Sequence, residues 1–225
     1  MRKIILAAVL AAPLFAFAGG APSAPVAPSN NTGVIELLVN GSFEANTQNA
    51  GSWHIYSSLT GWTGGSAGIE LRNNVAGAAF QGNNYVELDT TANSSINQSV
   101  ATTSNDTYSL SFAYSPRTGV ATTSNGIEVL WNGASVGTFT GSGGGASGNV
   151  WQTKTISLLG AASTSSLIFR AIGTSDSYGG SLDKISLTKN TLTSAVPEPE
   201  TYAMMLAGLA GLGFMSRRKK VVKLA

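Results

Sequence analysis

Trp53, Tyr56 and Trp62 sit close together early in the chain, and two alternating runs after them bring charge beside rings. In 68–72, Glu70 and Arg72 alternate with Ile69 and Leu71. In 84–89, Tyr85, Glu87 and Asp89 alternate with Val86 and Leu88. Successive side chains of a strand point to opposite faces, so each run places its polar members on one side. Aromatic rings offer flat apolar surfaces, and charged or amide groups satisfy hydroxyls; together they are suited to binding sugars. These eight residues form the candidate ligand site. A second reading stays open for Trp53 and Trp62, as core side chains, which parity with Ile127 and Val129 makes of Trp131.

Carboxylates are the other candidates for chemistry. Two acids flanking a glycosidic bond can protonate the leaving group and attack or activate water. Glu70, Glu87, Asp89 and Glu128 are available, but no spacing fixes a separation between any two, and alternating Glu on a β surface is usually solvated. The expectation is therefore a non-catalytic protein. Asp183 shares parity with Ile185 and Leu187 and points inward, where a carboxylate must be paired, hydrogen-bonded or metal-bound; the alternative is a turn cap at the strand entrance.

Gly64-Gly65-Ser66-Ala67-Gly68 and Gly133-Ala134-Ser135-Val136-Gly137 fit Gly-x-Ser-x-Gly, yet no helical pattern follows either, as a nucleophile elbow requires. Residues 143–148 fit Gly-x-Gly-x-x-Gly without a surrounding βαβ unit. With 27 glycines, such matches arise by chance. His54, the single histidine, reads as a packed or surface side chain, and the absence of cysteine excludes disulfides and thiolate metal sites. No basic patch with interleaved aromatics is present, so nucleic acid is excluded as a partner.

The elements that must position these residues are short strands. Between 34 and 190 no long segment has helical apolar spacing; alternating runs recur at 34–39, 53–56, 68–72, 84–89, 95–100, 107–114, 126–131, 134–139, 152–158, 165–172 and 182–188. Asn132-Gly133 between two of them signals a tight hairpin. Many short strands separated by Gly, Asn, Ser and Thr predict an all-β domain over 33–190, a β-sandwich of jelly-roll type.

Both ends read as sorting signals. Met1-Arg2-Lys3, an apolar run from 4 to 18 and Ala16-Phe17-Ala18 make a signal peptide over 1–18, followed by a Pro/Ala/Ser/Asn-rich linker over 19–32. At the other end, Pro197, Glu198 and Pro199 lie in a Val-Pro-Glu-Pro-Glu motif at 196–200, before an apolar helix over 202–215 and a basic cluster at 217–220. That apolar run spans about 21 Å at 1.5 Å per residue, marginal as a transmembrane helix against a ~30 Å hydrocarbon core. The segment 191–225 resembles the PEP-CTERM sorting signal. The resemblance implies export from a Gram-negative bacterium, handling by signal peptidase and an exosortase with a transient stay at the inner membrane, and a final place at the cell surface or in an extracellular matrix.

The formal charge of +2 changes meaning with these ends. Seven of the 13 basic residues lie in the two signals, so 19–200 holds six against all 11 acids, a net −5.

A second resemblance spans the middle. Leu38-Val39-Asn40-Gly41-Ser42-Phe43-Glu44, Gly61-Trp62, Asn84-Tyr85-Val86-Glu87-Leu88-Asp89 and Leu182-Asp183-Lys184-Ile185 are similar, in this order, to galactose-binding-like jelly rolls, including several carbohydrate-binding modules. The family ending ordinarily has Asn where Lys184 stands. The resemblance implies a structural calcium held by Glu44 and Asp183 with backbone carbonyls completing an oxygen shell. The function expected is carbohydrate binding, with the cell's own exopolysaccharide or biofilm matrix as partner. A protein-binding adhesion or matrix role and an extracellular glycoside hydrolase are the alternatives.

Overall fold

Alternation of apolar and polar side chains produces two antiparallel sheets packed face to face. The computed structural model describes residues 32–192, 203–210 and 212–213. The signal peptide (1–18), the linker up to residue 31, Pro197, Glu198, Pro199 and the basic cluster lie outside the described residues.

The strands are β1 (Thr32–Glu36), β2 (Ser52–Tyr56), β3 (Ser58–Leu59), β4 (Trp62–Gly64), β5 (Ile69–Asn73), β6 (Asn84–Glu87) and β7 (Ser95–Ala101). They continue as β8 (Thr107–Ser115), β9 (Gly126–Trp131), β10 (Ala134–Phe139), β11 (Gln152–Leu159), β12 (Thr164–Ile172) and β13 (Ser181–Leu192). One sheet runs β11-β8-β13-β6-β5-β2 with β1 also on β13; the other runs β10-β9-β12-β7-β4-β3. From β6 onward the chain crosses repeatedly between the sheets, the connectivity of a jelly roll.

The core fills the space between the sheets. On β8, Tyr108, Leu110, Phe112 and Tyr114 alternate inward and are buried. The Phe112 ring meets Phe139 and Phe169 of the opposite sheet, each at 5.1 Å and near-perpendicular. Such edge-to-face contacts add ~1 kcal/mol beyond the area they bury. Trp131 lies in this core, as parity expects. The β9–β10 hairpin turns at Asn132 and Gly133 with φ of 52° and 82°, the left-handed pair that suits the strand twist.

Two features differ from the sequence expectation. The first strand ends at Glu36 instead of running to 39; there the Glu36 carboxylate accepts the N–H groups of Leu37, Leu38 and Leu187, and Leu37 N–H also reaches the Leu187 carbonyl at 2.9 Å. β3 and β4 are too short to show a period. The strands belong to the compact unit Asn31–Ser194. Separately, residues 203–210 and 212–213 are helical with exposed side chains. No helix among the described residues is long and apolar enough to cross a membrane, against the transmembrane helix expected over 202–215.

Candidate functional site

Most of the expected polar face is covered. Glu70 stands opposite Glu87, and Arg72 opposite Tyr85, across β5 and β6. Facing carboxylates repel, and Arg72 lies between them, 2.5 Å from Glu70 and 3.2 Å from Glu87. All four side chains are buried, with Glu87 and Tyr85 fully so. The cover comes from two loops. Trp151 sets its ring against Tyr85 at 5.6 Å and Phe80 at 6.2 Å, while Trp151 Nε1 and Asn149 Nδ2 donate to the Ala78 carbonyl. Burial pushes the Glu87 carboxyl up to about 7, with Arg72 and Arg117 pulling the other way; burial likewise raises the Tyr85 phenol. Asp89 is also buried, its Oδ2 accepting Asp176 N–H at 2.9 Å and Ser177 N–H at 3.1 Å.

The direct ligand role expected of Glu70, Arg72, Tyr85, Glu87 and Asp89 is therefore corrected. Alternation identified their face, but not the loops that fold over it. Trp62 is corrected too: at 2% exposure it packs against Phe43, and its indole donates to the Asn40 carbonyl at 3.0 Å. The hydrolase reading gains no geometry. Glu70 and Glu87 are engaged with arginines, Asp89 with amides, and Glu128 with Arg170 on the other sheet.

Glu44 and Asp183 come near each other, and backbone amides face both. Asp183 Oδ2 accepts the N–H groups of Phe80 and Gln81, each at 2.8 Å, and its Oδ1 accepts Lys184 N–H. Glu44 Oε1 accepts those of Asn83 and Asn84. Amide hydrogens take two lone pairs of Asp183 Oδ2, one of Oδ1 and two of Glu44 Oε1. Through these bonds the pair pins the loop before β6 at both ends. Burial pushes the Asp183 carboxyl up to about 6, the three amides opposing and Glu44 adding repulsion.

Two openings stand out among the described residues. The larger, about 810 Å³, lies where the loops after β5, β8, β10 and β12 meet. Arg117 donates from Nη1 to Glu87 at 2.7 Å and to the Ser177 carbonyl at 3.2 Å, and its guanidinium lies 4.4 Å from the Tyr178 ring centroid. Tyr178 is 48% exposed. Beside it, Asp176 accepts the Ser124 hydroxyl. Buried Asn125 fixes the loop by accepting Arg117 N–H and donating to the carbonyls of Val120 and Ala121. The glycine-rich segment closes against it at Gly143, where a Cβ would lie 1.8 Å from the Arg117 carbonyl oxygen. The cleft thus presents a ring, a cation, an anion and hydroxyls on preformed loops. Arg117, Asp176 and Tyr178 were not singled out in the sequence. Arg117 did carry a signal, as one of few cations in a sparsely charged segment.

The smaller opening, about 350 Å³, lies along β2 and is bounded by Thr47, Gln48, Asn49, Trp53, His54 and Tyr56. Here the structure places the remaining expected residues: Trp53 is exposed and Tyr56 half-buried. His54 meets the Tyr56 ring edge-on at 4.8 Å.

Residues 36–188 match the family described as "Protein of unknown function (DUF642)", and residues 195–219 match the PEP-CTERM protein-sorting motif. The chain is 32% identical over 161 residues to a multifunctional-autoprocessing repeats-in-toxin of Vibrio vulnificus. That alignment takes in 70% of this chain and only 3% of the relative's length. Among solved structures, it is similar to a family 35 carbohydrate-binding module from Clostridium thermocellum, with a TM-score of 0.42 and 19% identity over 60% of this chain and 97% of that one. It is also similar to TmCBM61 in complex with β-1,4-galactotriose, at 0.45 and 18% over 69% and 99%.

Proposed function

The chain belongs to the DUF642 family, and we propose that this member is a non-catalytic carbohydrate-binding protein of the cell surface or extracellular matrix. The observation that carries the reading is the loop cleft in which the half-exposed Tyr178 ring lies on the Arg117 guanidinium beside Asp176. An aromatic face can stack on a sugar ring, while the guanidinium, carboxylate and nearby hydroxyls take its hydroxyl groups. Preformed loops lower the ordering cost of binding. The sorting motif implies an exported, cell-surface protein. The fuller route belongs to the proposal: signal-peptide removal, exosortase handling at the inner membrane of a Gram-negative bacterium, then association with the cell's own exopolysaccharide or biofilm matrix.

A glycan array probed with the full-length protein tests this reading. Binding to one or more neutral or acidic polysaccharides is expected, and Tyr178→Ala should weaken it about tenfold while the circular dichroism spectrum stays unchanged. Retention of proteins alone, with no glycan bound, would replace this function with an adhesion role. Turnover of a bound polysaccharide would return the hydrolase.

A further inference from the structure

One oxygen of a buried acid organises the loop cleft from behind. Glu87 Oε1 accepts Arg117 Nη1 at 2.7 Å and the Gly179 N–H at 2.8 Å. The first bond fixes the guanidinium. The second fixes the backbone next to Tyr178, whose ring centroid lies 4.4 Å from that guanidinium. Glu87 is fully buried behind the opening, which Arg117, Asp176 and Tyr178 border. The Arg117 side chain is 18% exposed, and its Nε and Nη2 take no hydrogen bond among the described residues. Tyr178 and Arg117 can therefore meet a ligand, while Glu87 acts through them.

The same carboxylate sets the charge of the site. Glu70, Arg72, Glu87 and Arg117 alternate in sign along one chain of ion pairs, so the chain carries no net charge while Glu87 is ionised. Two acids are left over beside it. Asp176 borders the opening and accepts the Ser124 hydroxyl and Tyr178 N–H. Asp89 lies buried under the same turn and accepts Asp176 N–H and Ser177 N–H. Neither forms an ion pair among the described residues. An approaching carboxylate therefore meets a guanidinium whose charge is already cancelled, with two acids next to it, and is repelled. A neutral sugar meets no such penalty, since its hydroxyls can accept from Arg117 and donate to Asp176.

On the reading of this cleft as the glycan site, we propose that it selects neutral sugars and that Glu87 is the positioning residue that sets the selection, by holding Arg117 and the Tyr178 backbone in place and by cancelling the charge of the arginine. The titratable and charged groups facing Glu87 are Arg72 and Glu70 on β5, Arg117 from the loop after β8 and Tyr85 on its own strand; the segment before β13 contributes the Gly179 amide. Among these burial prevails and holds the carboxyl up at about 7. Protonation uncovers the charge of Arg117 and weakens its bond to Oε1, because a neutral acceptor forgoes charge assistance. Falling pH therefore lowers affinity for a neutral sugar. It raises affinity for an acidic one, whose carboxylate stays ionised to much lower pH.

The test measures binding of the full-length protein to β-1,4-galactan and β-1,4-glucan oligosaccharides, each beside the same compound with its primary hydroxyls oxidised to carboxylates. At about pH 8.5 the wild type should bind a neutral member about tenfold more tightly than its oxidised partner, and by about pH 5.5 that preference should be gone. Glu87→Gln keeps the shape of the side chain without its charge, and should show the low-pH behaviour at every pH. Tyr178→Ala should weaken both members alike. Asp183 also titrates in this range but is retained in Glu87→Gln, so the difference between the two proteins belongs to Glu87. Should Glu87→Gln fail to fold, the wild-type series decides with Asp183→Asn as its control, which should keep the pH dependence. Equal binding of the oxidised member at high pH, or a preference that ignores pH or follows it equally in Glu87→Gln, overturns the selection by Glu87 and leaves the cleft standing if Tyr178→Ala still weakens binding. Binding untouched by Tyr178→Ala, or none to any of the oligosaccharides, overturns the cleft and the selectivity with it.

Discussion

Asp183 shows how this molecule uses acids. It is fully buried and accepts three backbone N–H groups, and Glu36, Glu44, Glu87 and Asp89 also accept backbone N–H groups at loops or strand ends. In a chain so short of charge, carboxylates act as clamps on backbone that the ladders leave unpaired. Burial raises the Asp183 carboxyl to about 6, well above the ordinary aspartate range. A raised folded-state value means the folded protein holds the proton more tightly than the unfolded chain does. This contribution is full below the unfolded value and is lost as pH rises through the folded one. Urea melts should therefore lose stability between pH 4 and pH 7, by an amount of the order of 3 kcal/mol for a shift of about two units. Glu87, raised to about 7, adds a loss of the same sign over this range, so Asp183→Asn should remove the Asp183 share of the slope and leave that of Glu87. A stability that instead climbs across the same range would mean the three amides outweigh burial. Next to it, Lys184 has a φ of 46°, in the left-handed region where asparagine is favoured.

At the scale of elements, the two most specific sequence motifs prove to be one junction. Gly41 accepts Ile185 N–H at 2.8 Å, joining the segment between β1 and β2 to the irregular start of β13. A Cβ on Gly41 would sit 1.7 Å from the Ile185 carbonyl oxygen, with backbone on both sides of the clash. Gly41→Ala should cost about 3 kcal/mol or more in equilibrium unfolding. Gly133→Ala is the control: φ is +82° with nothing within 4 Å, so only backbone strain of ~1 kcal/mol is expected. Equal losses in the two variants would mean that the junction relaxes around the methyl group. The eleven alternating runs were legible because each spans at least two periods. β3 and β4, at two and three residues, carry no period and are recruited by pairing with each other and with β7.

At the scale of the molecule, Glu44 and Asp183 hold a loop through amides, so the domain should not need a divalent ion. Its melting temperature should move by less than about 2 °C when calcium is exchanged for a chelator, followed by circular dichroism. A rise of several degrees with calcium would restore the ion to the fold. The sorting motif, the strand pattern and the polar–aromatic composition could all be read along the chain, because each depends on residues near one another in sequence. By itself the sequence determined an all-β sandwich, a PEP-CTERM motif and a core that includes Trp131; Asp183, expected inward with Ile185, instead pairs with Ala113 and lies under the loop at Phe80 and Gln81, because the register shifts between it and Ser186. Only tertiary structure decided which polar residues meet solvent. Alternation assigns a side chain to a face, but the β5–β6 loop at 74–83 and the loop at 141–151, which joins the distant strands β10 and β11, bury Glu70, Arg72, Tyr85 and Glu87. Their meeting with the loops after β8 and β12 leaves the cleft at Tyr178, while Trp53 stays open because β2 ends its sheet. Exposure is a property of what packs on top, and no local pattern encodes it.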